Sequence, residues 1–254
     1  MSTIEVERDG TVTVIRLNRR EVHNALDPPM LTALLAAVVA AADDDGVRAM
    51  VLTGGPTAFT TGEDLVTATT LDAYAFRHQI GQFQELATAL RFAPKPVIAA
   101  IAGPAYGGGL EIAVNCDARI AADNARFACP EVEWSLTLSN GSSVLLRRVV
   151  GEGWTRELLL FGTMLDAETA LRIGLVTRVV PVNDLEPQAL AMAHRAGEYA
   201  AGAVASTKEL LNADPRPWDA TLQAETEAVI QGFHDESAQA RLRAFAERKR
   251  HRAT

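Results

Sequence analysis

The sequence is short of several features that decide function in other chains. Cys116 and Cys129 are the only cysteines in 254 residues, and both lie among apolar neighbours, so buried free thiols are expected rather than a disulfide scaffold. The five histidines show neither a His-x-x-His nor a Cys/His ligand spacing, and no metal is expected. Positive charge is in deficit. A formal net charge of −8 argues against a nucleic-acid partner, because neutralising phosphates needs an excess of Lys and Arg. An anionic substrate stays compatible where cations are placed locally. Apolar runs fall far short of a bilayer span, and Met1 through Glu5 carry neither a basic head nor an apolar signal core, so the expectation is a cytoplasmic protein without a membrane partner. No Gly/Ser-rich or charged linker interrupts the chain, which predicts one main domain with a helical C-terminal extension.

What is present is core material and its periodicity. Hydrophobic residues make up 48% and charged residues 22%, enough for a sizeable core and too little charge bias for disorder. Val12, Val14 and Leu17 suggest an early strand, and Leu31, Leu34, Leu35, Val38 and Val39 fall on one helical face. Met50-Val51-Leu52 and Val97 through Ile101 are short continuous apolar runs, the signature of strands buried on both sides. Between them Phe76, Ile80, Phe83, Leu86 and Leu90 mark a second amphipathic helix. After Gly151 the pattern is helical over Trp154 to Phe161, Leu185 to Tyr199, Ala203 to Leu211 and two stretches starting at Thr221 and Asp235, with a short apolar strand at Val179-Val180. Strands alternating with helices predict an α/β protein with a helical tail.

Three segments carry chemistry. Gly107-Gly108-Gly109-Leu110-Glu111 is a glycine run that opens a helix, exposing N–H groups and the positive dipole end, with a carboxylate close behind. Phe59-Thr60-Thr61-Gly62-Glu63-Asp64-Leu65 follows the Met50-Val51-Leu52 strand, where a loop aims backbone donors at a ligand. Pro130-Glu131 adds a second carboxylate downstream. Each has a bland alternative. The glycines serve as a tight turn, Glu111 is favoured by the dipole alone, Glu131 caps a segment or faces solvent, and Asp64 forms a turn. A dinucleotide fingerprint fails because the Gly-x-Gly-x-x-Gly spacing is absent. Together the three segments are equipment for holding an oxyanion and moving a proton.

In this order and spacing the segments resemble the enoyl-CoA hydratase/isomerase, or crotonase, family over nearly the whole chain. The resemblance is carried by Asn18 through Leu26 (NRREVHNAL), Val47 through Leu65, Pro94 through Asp117 (PKPVIAAIAGPAYGGGLEIAVNCD) and Arg126 through Gly151. It implies a crotonase-like spiral of ββα units over residues 1–195, and a helical C-terminal trimerisation region over 196–254. The implied partners are an acyl-CoA substrate and further copies of the chain, as a trimer or dimer of trimers. CoA enters as part of the substrate and no separate cofactor is implied.

By the same resemblance the N–H groups of Glu63 and Gly108 hold the thioester oxygen, and Glu111 and Glu131 are the catalytic carboxyls. Asn24, Ala25, Leu26, Thr61, Gly62, Asp64, Leu65, Gly107, Trp134 and Ser139 belong to the CoA and acyl path. Phe245 and Arg248 reach a neighbouring subunit's CoA, although the Arg248-Lys249-Arg250 run also reads as a solvated helix end. Many relatives keep only the later glutamate, so both together favour reversible syn hydration of a 2-enoyl-CoA. The rivals are double-bond isomerisation or decarboxylation with Glu131, and an acyl-CoA-binding protein without efficient catalysis.

Two departures from the family pattern stand out. Glu63 occupies a position that is usually Ala. Its carboxylate either binds a polar substrate group, raises neighbouring pKa values by repulsion, or points to solvent. Glu133 through Gly141 replaces an apolar stretch and a Pro-Gly step: Ser135, Ser139 and Asn140 add hydrogen-bonding groups expected near Glu131, and Trp134 adds bulk. The expectation is an acyl pocket not built for simple straight chains.

Overall fold

The continuous apolar runs become the centre of a sheet. In the computed structural model, which describes residues 2–134 and 136–213, β1 (Ile4–Asp9) and β2 (Val12–Leu17) form an antiparallel edge. Parallel β3 (Ala49–Thr53), β4 (Val97–Ile101), β6 (Ala118–Ala122) and β9 (Arg178–Val180) follow, in the order β1-β2-β3-β4-β6-β9. Every residue of β3, β4 and β6 is buried, because both faces are covered. One face packs on α1 (Pro28–Asp43), whose first turn is capped by Asp27, on α3 (Ala73–Phe92), capped by Asp72, and on α4 (Gly108–Asn115). The other face, with Val51, Ile98, Ala100 and Ile120, is closed by α7 (Leu185–Gly197) through Leu185, Ala189 and Ala193.

A smaller sheet places the chemistry. It consists of β5 (Pro104–Tyr106), β7 (Arg126–Ala128) and the two-residue β8 (Leu165–Asp166), and a bridge from Thr60 to Ala105 extends it. The chain therefore advances as repeated units: β4, β5 and α4, then β6, β7 and α5 (Ser142–Phe161), each giving one strand to each sheet before its helix. That is the ββα spiral expected. The short α2 (Leu65–Ala68) leaves the Thr60 loop, while α6 (Ala167–Arg172) and α8 (Ala201–Asn212) complete the described chain.

Several element boundaries differ from the sequence reading by a residue or two, and one differs by more. The helix expected at Trp154 is the second half of a longer element that starts at Ser142 and breaks at Gly151, whose φ of 77° and ψ of 168° are not helical. Helix α7 stops at Gly197 rather than Tyr199. The helical stretches from Thr221 and Asp235, with Phe245 and Arg248, lie outside the described residues, as does Ser135. Both cysteines are buried and free, as expected. No helix among the described residues is long and apolar enough to cross a membrane.

Helix α8 is fastened to the sheet by a part-buried ion pair. Lys208 Nζ lies 2.7 Å from Asp117 Oδ2 and donates to the carbonyls of Leu90 and Lys95 at 3.1 Å each. Asp117 in turn accepts from the Val97 N–H at 2.7 Å, at the start of β4. Removing one partner leaves the other desolvated and unpaired. Lys208→Met is therefore expected to cost about 3 kcal/mol. Asp117→Asn in the same chain should return part of that loss, both read from urea unfolding midpoints.

Candidate active site

Parallel pairing in the small sheet decides which loops meet. Tyr106 is in register with Ala128, and Gly107 N donates to Ala128 O at 2.9 Å, so Gly107-Gly108 and Cys129-Pro130-Glu131 leave adjacent strands at the same end. The third loop joins through Thr60, whose N–H donates to Pro104 O and whose carbonyl accepts from Tyr106 N, both at 3.0 Å. Ligands gather where parallel strands end, and here three loops do so side by side.

Close approach of backbones explains two of the glycines. A Cβ on Gly62 would lie 2.6 Å from Tyr106 O and 2.9 Å from Gly108 N, so only glycine lets the first loop lie against the start of α4. A Cβ on Gly107 would come within 3.1 Å of Glu131 Oε1, and its φ of 51° already disfavours a side chain. That contact also locates the Glu131 carboxyl, directly over the turn into α4.

The first loop is held from behind. Asn24, fully buried in the left-handed region at φ 57°, donates its amide to the carbonyls of Gly54, Ala58 and Phe59 and accepts from Arg19 N. Thr60 Oγ1 donates to Asn24 O and accepts from Gly62 N. Leu26 N donates to Gly62 O and accepts Asp64 N at its own carbonyl, the pattern of a parallel bridge centred on Glu63. The N–H of Glu63 thus faces away from Leu26 and has no hydrogen-bond partner among the described residues. Gly108 N, in the first turn of α4, likewise has none.

A cavity of about 420 Å³ opens in front of these donors, lined by Glu63, Gly107, Gly108, Glu111 and Glu131 together with apolar walls. Glu111 is 2% exposed, and its Oε1 accepts from Ser139 N at 3.2 Å and Asn140 N at 3.1 Å. Burial raises its pKa, and the two N–H bonds oppose the rise. Both oxygens of Glu131 are buried without a hydrogen-bond partner among the described residues. Burial, reinforced by the charge of Glu111, pushes Glu131 up to about 7. A proton is thus easily exchanged at Glu131 near neutrality. Glu63 is also raised, by burial.

The residues expected on the CoA and acyl path divide into two groups. Thr61, Leu65, Gly107, Trp134 and Ser139 line the cavity; Asn24, Ala25, Leu26, Gly62 and Asp64 do not, and build the loop that frames it. Ala25 O accepts from Arg19 Nη1 at 2.8 Å. The Asp64 carboxylate is engaged twice, by Arg19 Nη1 at 2.7 Å and, as the cap of α2, by Thr67 N at 3.1 Å. Burial raises the Asp64 pKa, but these bonds outweigh it and hold it below the usual value. Trp134 is 60% exposed at the rim.

Ser139 lines the same cavity as Glu131, but the carboxyl that the Ser139-Asn140 segment bonds through its backbone N–H groups is Glu111. The two side chains of the segment bond to each other, Ser139 Oγ to Asn140 Oδ1 at 2.9 Å. The physical reason is Asn115, one turn beyond Glu111, whose amide donates to Glu111 O at 2.9 Å and Asn140 O at 3.1 Å. It ties the loop to α4 and turns the loop's N–H groups to the Glu111 carboxylate.

Asn115 escaped the sequence reading, although a lone amide at i+4 from Glu111 in an apolar helix was a usable signal. Phe76, Ile80 and Phe83, expected only as part of an amphipathic helix, line the cavity, with Phe83 against Gly108. Among the described residues no cluster of His, Cys, Asp and Glu suited to a metal occurs.

Comparison with known proteins agrees with this geometry. The family model described as enoyl-CoA hydratase/isomerase matches residues 7–252. A short-chain-enoyl-CoA hydratase of Clostridium acetobutylicum is 33% identical over 252 residues, 98% of this chain and 97% of the relative. A probable enoyl-CoA hydratase of Mycobacterium bovis is 38% identical over 215 residues, covering 83% and 81%. Among solved structures, an enoyl-CoA hydratase of Bacillus anthracis superposes with a TM-score of 0.93 at 32% identity, covering 97% of each chain. DspI of Pseudomonas aeruginosa superposes at 0.92 and 34%, covering 98% of this chain and 95% of its own. The chain belongs to the enoyl-CoA hydratase/isomerase family and has the crotonase fold.

Proposed function

We propose that this enzyme is an enoyl-CoA hydratase, adding water reversibly and syn across the double bond of a 2-enoyl-CoA to give a 3-hydroxyacyl-CoA. The observation that carries the reading is the pair Glu111 and Glu131, buried in one cavity that the unpartnered N–H groups of Glu63 and Gly108 face. In the hydration direction ionised Glu111 takes a proton from water as the water oxygen bonds to the β-carbon. The π electrons move toward the thioester oxygen, whose developing charge is held by the two N–H donors and the positive end of α4. Collapse of that enolate takes the proton of Glu131 onto the α-carbon. CoA enters as part of the substrate, and no step calls for another cofactor. A homo-oligomer is part of this reading, and the exposed Leu160, Phe161 and Met164 support it as apolar surface a partner copy would cover.

Turnover of a mixed enoyl-CoA set in oxygen-18 water tests the assignment. A labelled hydroxyacyl-CoA is expected; unlabelled double-bond isomers or released carbon dioxide would replace hydration by another reaction of the same oxyanion hole. Glu111→Gln should lower kcat by roughly 10²–10⁴-fold while acyl-CoA binding survives. Unimpaired turnover in that variant would remove Glu111 from the mechanism.

The pH dependence follows from the proton count. Hydration needs Glu111 ionised with Glu131 protonated, and dehydration the reverse, so in both directions the competent pair holds one proton. Above about 7 that proton leaves Glu131, and kcat/KM is expected to fall up to tenfold per pH unit. Because no net proton is consumed, hydration and dehydration must show the same alkaline limb. Stopped or continuous assays of both directions between pH 6 and 9 check this; limbs that differ, or a flat profile, would exclude the shared-proton pair.

Asn115→Leu keeps the volume of the helix face but releases the Ser139-Asn140 loop. Its expected signature is a kcat loss of roughly 10- to 100-fold with KM little changed, since a misaligned base weakens chemistry more than binding. A pure KM effect would assign Asn115 to substrate binding instead.

A further inference from the structure

The cavity wall holds one ionisable side chain that the reaction leaves unused. Glu63 gives its backbone N–H to the thioester oxygen, while its carboxyl group has no part in the proton transfers. Its backbone is pinned by the bridge to Leu26, so the side chain departs from a fixed point beside the oxyanion donors. Oε1 is buried without a hydrogen-bond partner among the described residues, and Glu63 is one of the residues that line the cavity. No Lys, Arg or His is among the described lining residues, and the wall built by α3 and the following turn of the Glu63 loop is apolar: Phe76, Ile80, Phe83 and Leu65.

Burial raises the pKa of the Glu63 carboxyl, as it does that of Glu131. A buried carboxyl oxygen without a partner is costly unless a ligand supplies a donor as the side chain turns toward it. Plain hydrocarbon supplies none.

We propose that Glu63 is a specificity-determining residue whose buried carboxyl oxygen accepts a hydrogen bond from a hydroxyl or other uncharged donor on the acyl chain beyond the reacting double bond. The preferred substrates are then polar-substituted enoyl thioesters. This rests on the acyl-CoA reading of the cavity and names the acyl class within it. The carboxyl accepts such a bond whether ionised or protonated. The amide N–H groups of the pantetheine arm offer the same chemistry from a second source, and the experiment separates the two.

Saturated acyl-CoA thioesters undergo no hydration, so their binding is independent of turnover. Affinities are measured by calorimetry for a saturated acyl-CoA, for its analogues with a hydroxyl at successive carbons, and for free CoA, on the wild type, Glu63→Ala and Glu63→Gln. At one hydroxyl position the wild type is expected to bind roughly 10-fold or more tightly than the plain chain. Glu63→Ala should bring the two to equality, and Glu63→Gln, whose amide oxygen still accepts, should retain part of the preference. Melting curves of both variants verify that they fold. A wild-type ratio near one at every position, or a preference unchanged in Glu63→Ala, overturns the proposal. Equal weakening of every thioester and of CoA in Glu63→Ala overturns it too, assigning the carboxyl to the pantetheine arm. If acyl-CoA binds as expected but no enoyl-CoA is hydrated, the hydratase reading fails while this one stands; absence of all acyl-CoA binding overturns both.

Discussion

The pairing of Thr60, Ala105 and Phe127 across the small sheet is the constraint on which the site depends. Three stretches far apart in sequence become parallel neighbours there, and parallel neighbours end on the same side. The N–H groups of Glu63 and Gly108 and the main chain that carries Glu131 are therefore placed by backbone hydrogen bonds, not by flexible side chains. Backbone pairing fixes positions to within a fraction of an ångström, which is what electrostatic stabilisation of a developing charge requires. The close contact of Gly62 with Tyr106 and Gly108 is part of the same constraint, because any Cβ there would push the two donor loops apart.

Behind that sheet, polar side chains do mostly structural work. Asn24 gathers three carbonyls under the first loop, Arg19 and Asp64 tie its far end, and Asn115 holds the loop that supplies N–H groups to Glu111. Each satisfies buried backbone groups that would otherwise cost free energy, and each also shapes the cavity. The front of the site follows the opposite rule. Glu63 and Glu131 have buried oxygens without partners among the described residues, and burial raises their pKa values. Stability is held by the rear shell and given up at the front, where function needs groups ready to exchange a proton or meet a ligand.

Much of this architecture was legible in the sequence. The apolar runs at Met50 and Val97 became central parallel strands because parallel sheets bury both faces, and the stripe from Phe76 to Leu90 became α3. The glycine-rich entry to α4 and its first-turn Glu111 were legible for the same local reason. What was not legible locally was the boundary at Gly151 and the partner of the Ser139-Asn140 segment. A loop's hydrogen-bond partners depend on which element it packs against, and here Asn115 and Glu111 on α4 decide that.

The sequence by itself determined the elements, the family and the inventory of carboxyls and glycines, because these follow from short-range periodicity and from motifs contiguous in the chain. Only the tertiary structure decided how the carboxyls differ. Glu111 is clasped by two N–H groups, Glu131 beside it has no partner among the described residues, Glu63 keeps one oxygen buried and unbonded among those residues, and Asp64 is turned back into the fold against Arg19. A carboxyl group's proton affinity and its role come from burial, neighbouring charge and available donors, all of which are long-range properties. Four chemically similar side chains thus acquire four different environments from where the two sheets place them.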